Sequence, residues 1–75
     1  MTSLCDLKPG QCATIERFLD EAISVFRLKE MGLLPGTVVE LMRKAPWGGP
    51  LQIKVRGSVL SLRRNEASLM AISLG

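Results

Sequence analysis

From Pro35 onward, apolar and polar residues alternate with a period of two. Thr37 to Arg43 reads as a strand with Val39 and Leu41 inward. Leu51, Ile53 and Val55 then alternate with Gln52, Lys54 and Arg56, the pattern of a half-buried strand. Arg56-Gly57-Ser58 predicts a tight hairpin turn, because glycine accepts the positive φ that such turns need. On the returning strand Leu60 and Leu62 face inward, Ser61 and Arg63 outward. A short turn at Asn65-Glu66 leads to a closing strand carrying Met70, Ile72 and Leu74.

Upstream, Pro9-Gly10 marks a turn, and Gln11 to Phe18 alternates as a strand with Ala13 and Ile15 on one face. Asp20 can cap a helix, and Glu21 suits its first turn. That helix is predicted to run to about Met31, where Gly32 supplies a left-handed stop and Pro35 prevents resumption. Its inner face would use Ala22, Val25, Phe26 and Leu28. Ala45 to Pro50 has the composition of a loop. The expected fold is therefore mainly β, with about five short strands and one short helix inserted after the first. An open sheet of that size leaves exposed edges, and closure into a small barrel removes them.

Length supports one domain over residues 1–75, because so short a chain buries only about 60% of its unfolded surface and has no room for a second core. The chain is 47% hydrophobic and 23% charged, which argues against disorder. No apolar run approaches the roughly 20 residues of a membrane span, and the N-terminus lacks a signal-peptide pattern, so the cytoplasm is the expected location.

Histidine is absent, which removes the commonest general base and the commonest transition-metal ligand. Ser58, Ser61 and Ser68 therefore lack a histidine partner, and the adjacent Asp20 and Glu21 do not converge on one site. Gly48-Gly49 is followed by Pro50 and a strand, not by the lysine and helix of a phosphate loop. Cys5 and Cys12 match no zinc motif and read as small apolar residues in a reducing compartment. No enzyme is expected, and no cofactor. Weak divalent-metal binding through carboxylates or thiols stays open, without a dedicated metal site.

Charge is uneven. Residues 1–40 carry four basic and six acidic side chains, whereas residues 41–75 carry six basic and one acidic. Arg43, Lys54, Arg56 and Arg63, with Lys44 and Arg64 close by, make a basic face. It reads as a solvated face, a protein or anionic-membrane contact, or a nucleic-acid contact. The last is disfavoured, since tyrosine is absent and the aromatics are only Phe18, Phe26 and Trp47, too few for a stacking platform. Trp47 either anchors an interface or folds over one end of the barrel.

Three strings then carry a family resemblance. Phe26 to Thr37 (Phe-Arg-Leu-Lys-Glu-Met-Gly-Leu-Leu-Pro-Gly-Thr) resembles the helix-end and strand-start signature of the ferrous iron transport protein A family, FeoA. Ala45 to Pro50 resembles its Ala-Pro-x-Gly-Asp-Pro loop, and Val55 to Ala67 its last hairpin and turn, while Leu4 to Ile15 is similar to its opening. Gly49 stands where the family usually has aspartate, and Lys29 where an apolar residue is common. The resemblance implies an SH3-like barrel. It also implies an accessory protein of bacterial ferrous iron uptake, acting on the cytoplasmic GTPase-bearing part of the ferrous iron permease, FeoB. The same barrel ends iron-dependent repressors of the diphtheria-toxin-repressor type, so a weak metal sensor is an alternative, as is a nucleic-acid-binding barrel. With no DNA-binding helical domain ahead of it, the free-standing transport protein is the better match. The expected contact uses Leu28, Met31, Leu33 and Leu34 at the helix end, with Trp47 beside them; Arg43, Lys54, Arg56 and Arg63 form an alternative docking face. An exposed apolar turn would also permit weak self-association.

Overall fold

The computed structural model describes residues 2–20 and 24–74, and the backbone alone of Ile23. Its strands form where the period-two pattern predicts them: β1 Cys12–Phe18, β2 Val38–Lys44, β3 Leu51–Val55, β4 Ser58–Leu62 and β5 Met70–Leu74. All neighbours are antiparallel, in the order β4-β3-β2-β1-β5. Helix α1, Ile23–Glu30, lies between β1 and β2, and the expected mainly β fold with an inserted helix is what the chain adopts. Among the described residues no helix is long and apolar enough to cross a membrane.

Two bulges roll the sheet. Register shifts between Leu41 and Arg43 on β2, so Met42 and Arg43 both stay exposed while Lys44 pairs with the buried Leu51. A second shift between Ile15 and Arg17 bends β1 against β5. Such insertions sharpen strand twist and re-aim the next side chain. The rolled sheet is nearly isometric, 27 × 26 × 26 Å. Its interior holds Ala13, Ile15, Val39, Leu41, Leu51, Ile53, Val55, Leu62, Met70 and Ile72. Re-aimed by its bulge, Lys44 donates from Nζ to the Cys5 carbonyl at 2.7 Å and so closes one end of the barrel.

That end is built by a segment the alternation does not predict. Leu4–Asp6 forms one 3₁₀ turn, capped by reciprocal bonds between Ser3 and Asp6, and it lays Leu4 and Leu7 into the core. Thr2 and Ser3 then bond along β5, through the Ile72 amide and a bridge to Ala71. Edge β5 is thereby partly covered. Edge β4 is not: no backbone bond beyond those to β3 reaches it among the described residues. Closure is thus incomplete, contrary to the expectation that the barrel removes its edges.

Three sequence expectations need correction. Phe26 is 68% exposed, because the inward positions Val25 and Leu28 are three apart and Phe26 falls on the far side of the helix. Leu74 is 58% exposed at the strand end, so only Met70 and Ile72 of the three predicted inward positions reach the core. The helix is described from Ile23 onward; Glu21 and Ala22, on which the proposed Asp20 cap depends, lie outside the described residues. Asn65-Glu66 is no simple turn but part of a second short helix, α2, Arg64–Ala67. Lys29 is accommodated by standing 5.4 Å above the Phe18 ring, a cation–π contact that covers a half-buried aromatic.

Candidate partner-binding surface

The β2–β3 loop is a tight hairpin end. Ala45 N–H donates to the Pro50 carbonyl at 3.0 Å, and Gly49 N–H to the Pro46 carbonyl at 3.1 Å. The two central residues both have positive φ, Trp47 at 55° and Gly48 at 74°. Glycine accepts that region freely, but a bulky side chain there costs about 1–2 kcal/mol. From α2, Arg64 donates Nε to the Gly49 carbonyl and Nη2 to the Ala45 carbonyl, both at 3.0 Å, which fixes the loop from below. The Trp47 indole is left 98% exposed. A rigid, strained turn thus presents the chain's one tryptophan to solvent, and the alternative that it folds over the barrel end is excluded.

The loop also explains Gly49. A Cβ built there would lie 2.7 Å from the Ala45 Cβ and 3.2 Å from the Pro46 carbonyl oxygen. Restoring the family's aspartate, Gly49→Asp, is expected to destabilise the protein by about 1–3 kcal/mol through overpacking of the turn. Chemical denaturation followed by circular dichroism measures this, and a neutral outcome would mean that the loop has room to spare.

The helix end behaves differently from the expectation. Gly32, at φ 92°, is the left-handed residue of a Schellman stop: Leu33 N–H donates to the Leu28 carbonyl and Gly32 N–H to the Lys29 carbonyl. This geometry folds Leu33 back onto Leu28, and both are fully buried in the core. They are packing residues and not surface anchors. Met31 is half-buried against the same core, whereas Leu34 is 40% exposed. Leu34 lines an open cleft with Val38 and Arg56. Nor does Trp47 lie beside this cluster. Leu34 precedes β2 and Trp47 follows it, so a seven-residue strand of about 20 Å separates them.

The basic residues divide by role. Arg43, Lys54 and Arg63 are exposed, and Arg56 occupies the two-residue β3–β4 turn at φ 52°. Lys54 stands opposite Glu40 on β2, which tempers the charge at mid-sheet. Lys44 and Arg64 spend their donors on backbone carbonyls and hold the barrel together. Arg27, on α1, pairs with Glu66. The Glu66 side chain is 5% exposed, and its other oxygen accepts the Arg63 N–H at 3.0 Å. Sequence reasoning passes over Arg27 and Glu66; the available signal is that Glu66 is the lone carboxylate of the basic half. Around this pair opens a cleft of about 610 Å³, lined by Arg27, Arg63, Arg64, Asn65 and the Gly48-Gly49 backbone.

Among the described residues no three of Cys, Asp and Glu gather at ligand distance. Both cysteines are free thiols; Cys5 Sγ contacts the Arg64 carbonyl at 3.2 Å and Cys12 is exposed.

A rolled five-stranded antiparallel sheet with a short inserted helix defines a small SH3-like domain. The FeoA domain model matches residues 2–74, and the chain belongs to the FeoA family of ferrous iron transport. It is similar to the iron(II) transport protein A of Clostridium thermocellum, with 32% identity and a TM-score of 0.91 over 97% of this chain. The chain spans 45% of that protein's length. It is also similar to Stenotrophomonas maltophilia FeoA complexed with zinc, described as a prokaryotic SH3 domain protein, with 27% identity and a TM-score of 0.83 over 97% of this chain and 91% of that one. At 16% identity the fold alone recurs in ScaR with bound zinc, with a TM-score of 0.87 over all of this chain and 37% of that one. No curated protein sequence matches the chain.

Proposed function

We propose that the chain is a one-domain, non-catalytic cytoplasmic accessory protein of bacterial ferrous iron uptake, which binds and modulates the cytoplasmic GTPase-bearing part of the ferrous iron permease, FeoB. Membership of the FeoA family supports this, as does the description of the Stenotrophomonas relative as a candidate activating factor of ferrous iron transport. The observation that carries the reading is Trp47. Backbone strain at an exposed residue persists only when its surroundings enforce it, and such strain concentrates at functional positions. Tryptophan is also the residue most enriched among interface anchors. Trp47 at one end of β2 and Leu34 with Arg56 at the other would engage the partner, with Arg43, Lys54 and Arg63 supplying charge between them. The protein reaches the membrane only through this partner, and nucleic acid is not its ligand.

Calorimetric titration against the partner's GTPase domain tests the reading at two salt concentrations. Binding by the wild type should be saturable and weaken as salt rises. Trp47→Asn keeps a residue that tolerates positive φ. It should melt at or slightly above the wild-type temperature yet lose about tenfold or more in affinity. Undiminished binding by that variant would overturn the role given to Trp47.

A further inference from the structure

Resting on the reading above as a partner-binding protein, we infer that the partner is captured as an extended acidic segment that adds a sixth strand along edge β4. The β3–β4 turn has two residues, Arg56 and Gly57, so Val55 and Ser58 form a hydrogen-bonded pair. By alternation, Ser58, Leu60 and Leu62 spend their backbone groups on β3, while Val59 and Ser61 aim theirs away from the sheet. Among the described residues nothing accepts them. Proteins blunt such edges with lysine, proline, bulges or a covering segment. Strand β4 has none of these: its sequence is Ser-Val-Leu-Ser-Leu, its register against β3 is unbroken, and Val59 is 57% exposed. The opposite edge, β5, is partly covered by Thr2 and Ser3.

Charge selects the occupant. Arg56 stands at one end of the open edge, and Arg63 at the other, beside the arginine-lined cleft. Among the described residues no carboxylate pairs with Arg63, and the nearest acid in sequence, Glu66, is buried and already paired. A second copy of β4 is disfavoured, because antiparallel self-pairing would bring Arg56 of one copy beside Arg63 and Arg64 of the other. An extended segment with acidic residues at both ends, about seven residues apart, matches the spacing. Apolar side chains between them would cover the half-buried Leu60. This is recognition by strand addition, in which main-chain bonds give affinity and flanking side chains give specificity.

The probe is an N-acetylated, C-amidated peptide of alternating valine and threonine with glutamate at each end, added to the 15N-labelled full chain. The Val59 and Ser61 amides should shift and exchange more slowly. The same peptide ended by lysines, or N-methylated at alternate backbone positions, should leave them unchanged. No protection with the glutamate peptide at millimolar concentration would overturn the inference. So would equal binding by the N-methylated peptide, or protection that grows with protein concentration alone, the sign of a second copy on the edge. In the GTPase-domain titration, Arg63→Glu should weaken binding about tenfold, and so should Ser61→Pro, whose lost N–H faces outward where an edge tolerates proline. Should Ser61→Pro fail to fold, Arg63→Glu alone decides. If the domain binds wild type and both folded variants equally, strand addition is wrong and the partner assignment stands. If the domain fails to bind while the peptide protects β4, the partner assignment is wrong and strand addition stands.

Discussion

Leu33→Ala is expected to cost about 3 kcal/mol of stability, within the range measured for deleting a fully buried leucine. The residue is 0% exposed and packs in the core with Leu28, onto which the Gly32 stop folds it. For a chain of 75 residues each kcal/mol moves the melting temperature by about 4–8 °C, so a fall of well over 10 °C should follow. In urea the midpoint should drop while the slope stays constant, as for a pure change of stability. Leu34→Ala, one position on but exposed, should change little. A small loss at Leu33 alongside a large one at Leu34 would mean that the helix end is turned the other way out.

The second large effect is expected at Glu66. Its buried carboxylate joins two elements that sequence separates by 39 residues, holding Arg27 of α1 on one oxygen and the Arg63 N–H, at the start of α2, on the other. Arg27 is 61% exposed, so solvent screens much of the ion pair. The greater cost of Glu66→Ala comes from the N–H left without an acceptor and the side-chain volume removed, together about 2–3 kcal/mol. Glu66→Gln keeps shape and one acceptor oxygen and should lose about half as much. Equal losses in the two variants, measured by urea denaturation at neutral pH, would show that charge and not the hydrogen bond dominates.

How much of this was legible beforehand depends on the range of the interaction. The strands were, since Leu51, Ile53 and Val55 alternate within a window of five residues and need only a buried face to define them. Gly32 was legible as a helix stop. Its three-dimensional consequence, that Leu33 turns back onto Leu28 and both are buried, lies in the Schellman bonds and not in the apolar pattern, which reads equally well as a surface cluster. The bulge after Leu41 has no local signature, because a run such as Leu-Met-Arg-Lys continues the alternation acceptably either way. Its effect on Lys44 appears only once Cys5, at 39 residues' remove, is in place. The separation of Trp47 from Leu34 follows simply from counting along β2. For the surface, charge and exposure could be anticipated at Arg43, Lys54 and Arg63, whereas the open edge of β4 depends on what the N-terminal segment chooses to cover.

The lone tryptophan also makes this protein unusual as a spectroscopic object. With no tyrosine in the chain and Trp47 already surrounded by water in the native state, indole emission starts where it would end after denaturation. Loss of the fold should therefore be almost dark to intrinsic fluorescence, and a flat melt by that method says nothing about rigidity. Coverage of Trp47 by another molecule, in contrast, should shift its emission to the blue against no background, so that the protein carries a built-in reporter of docking and not of folding.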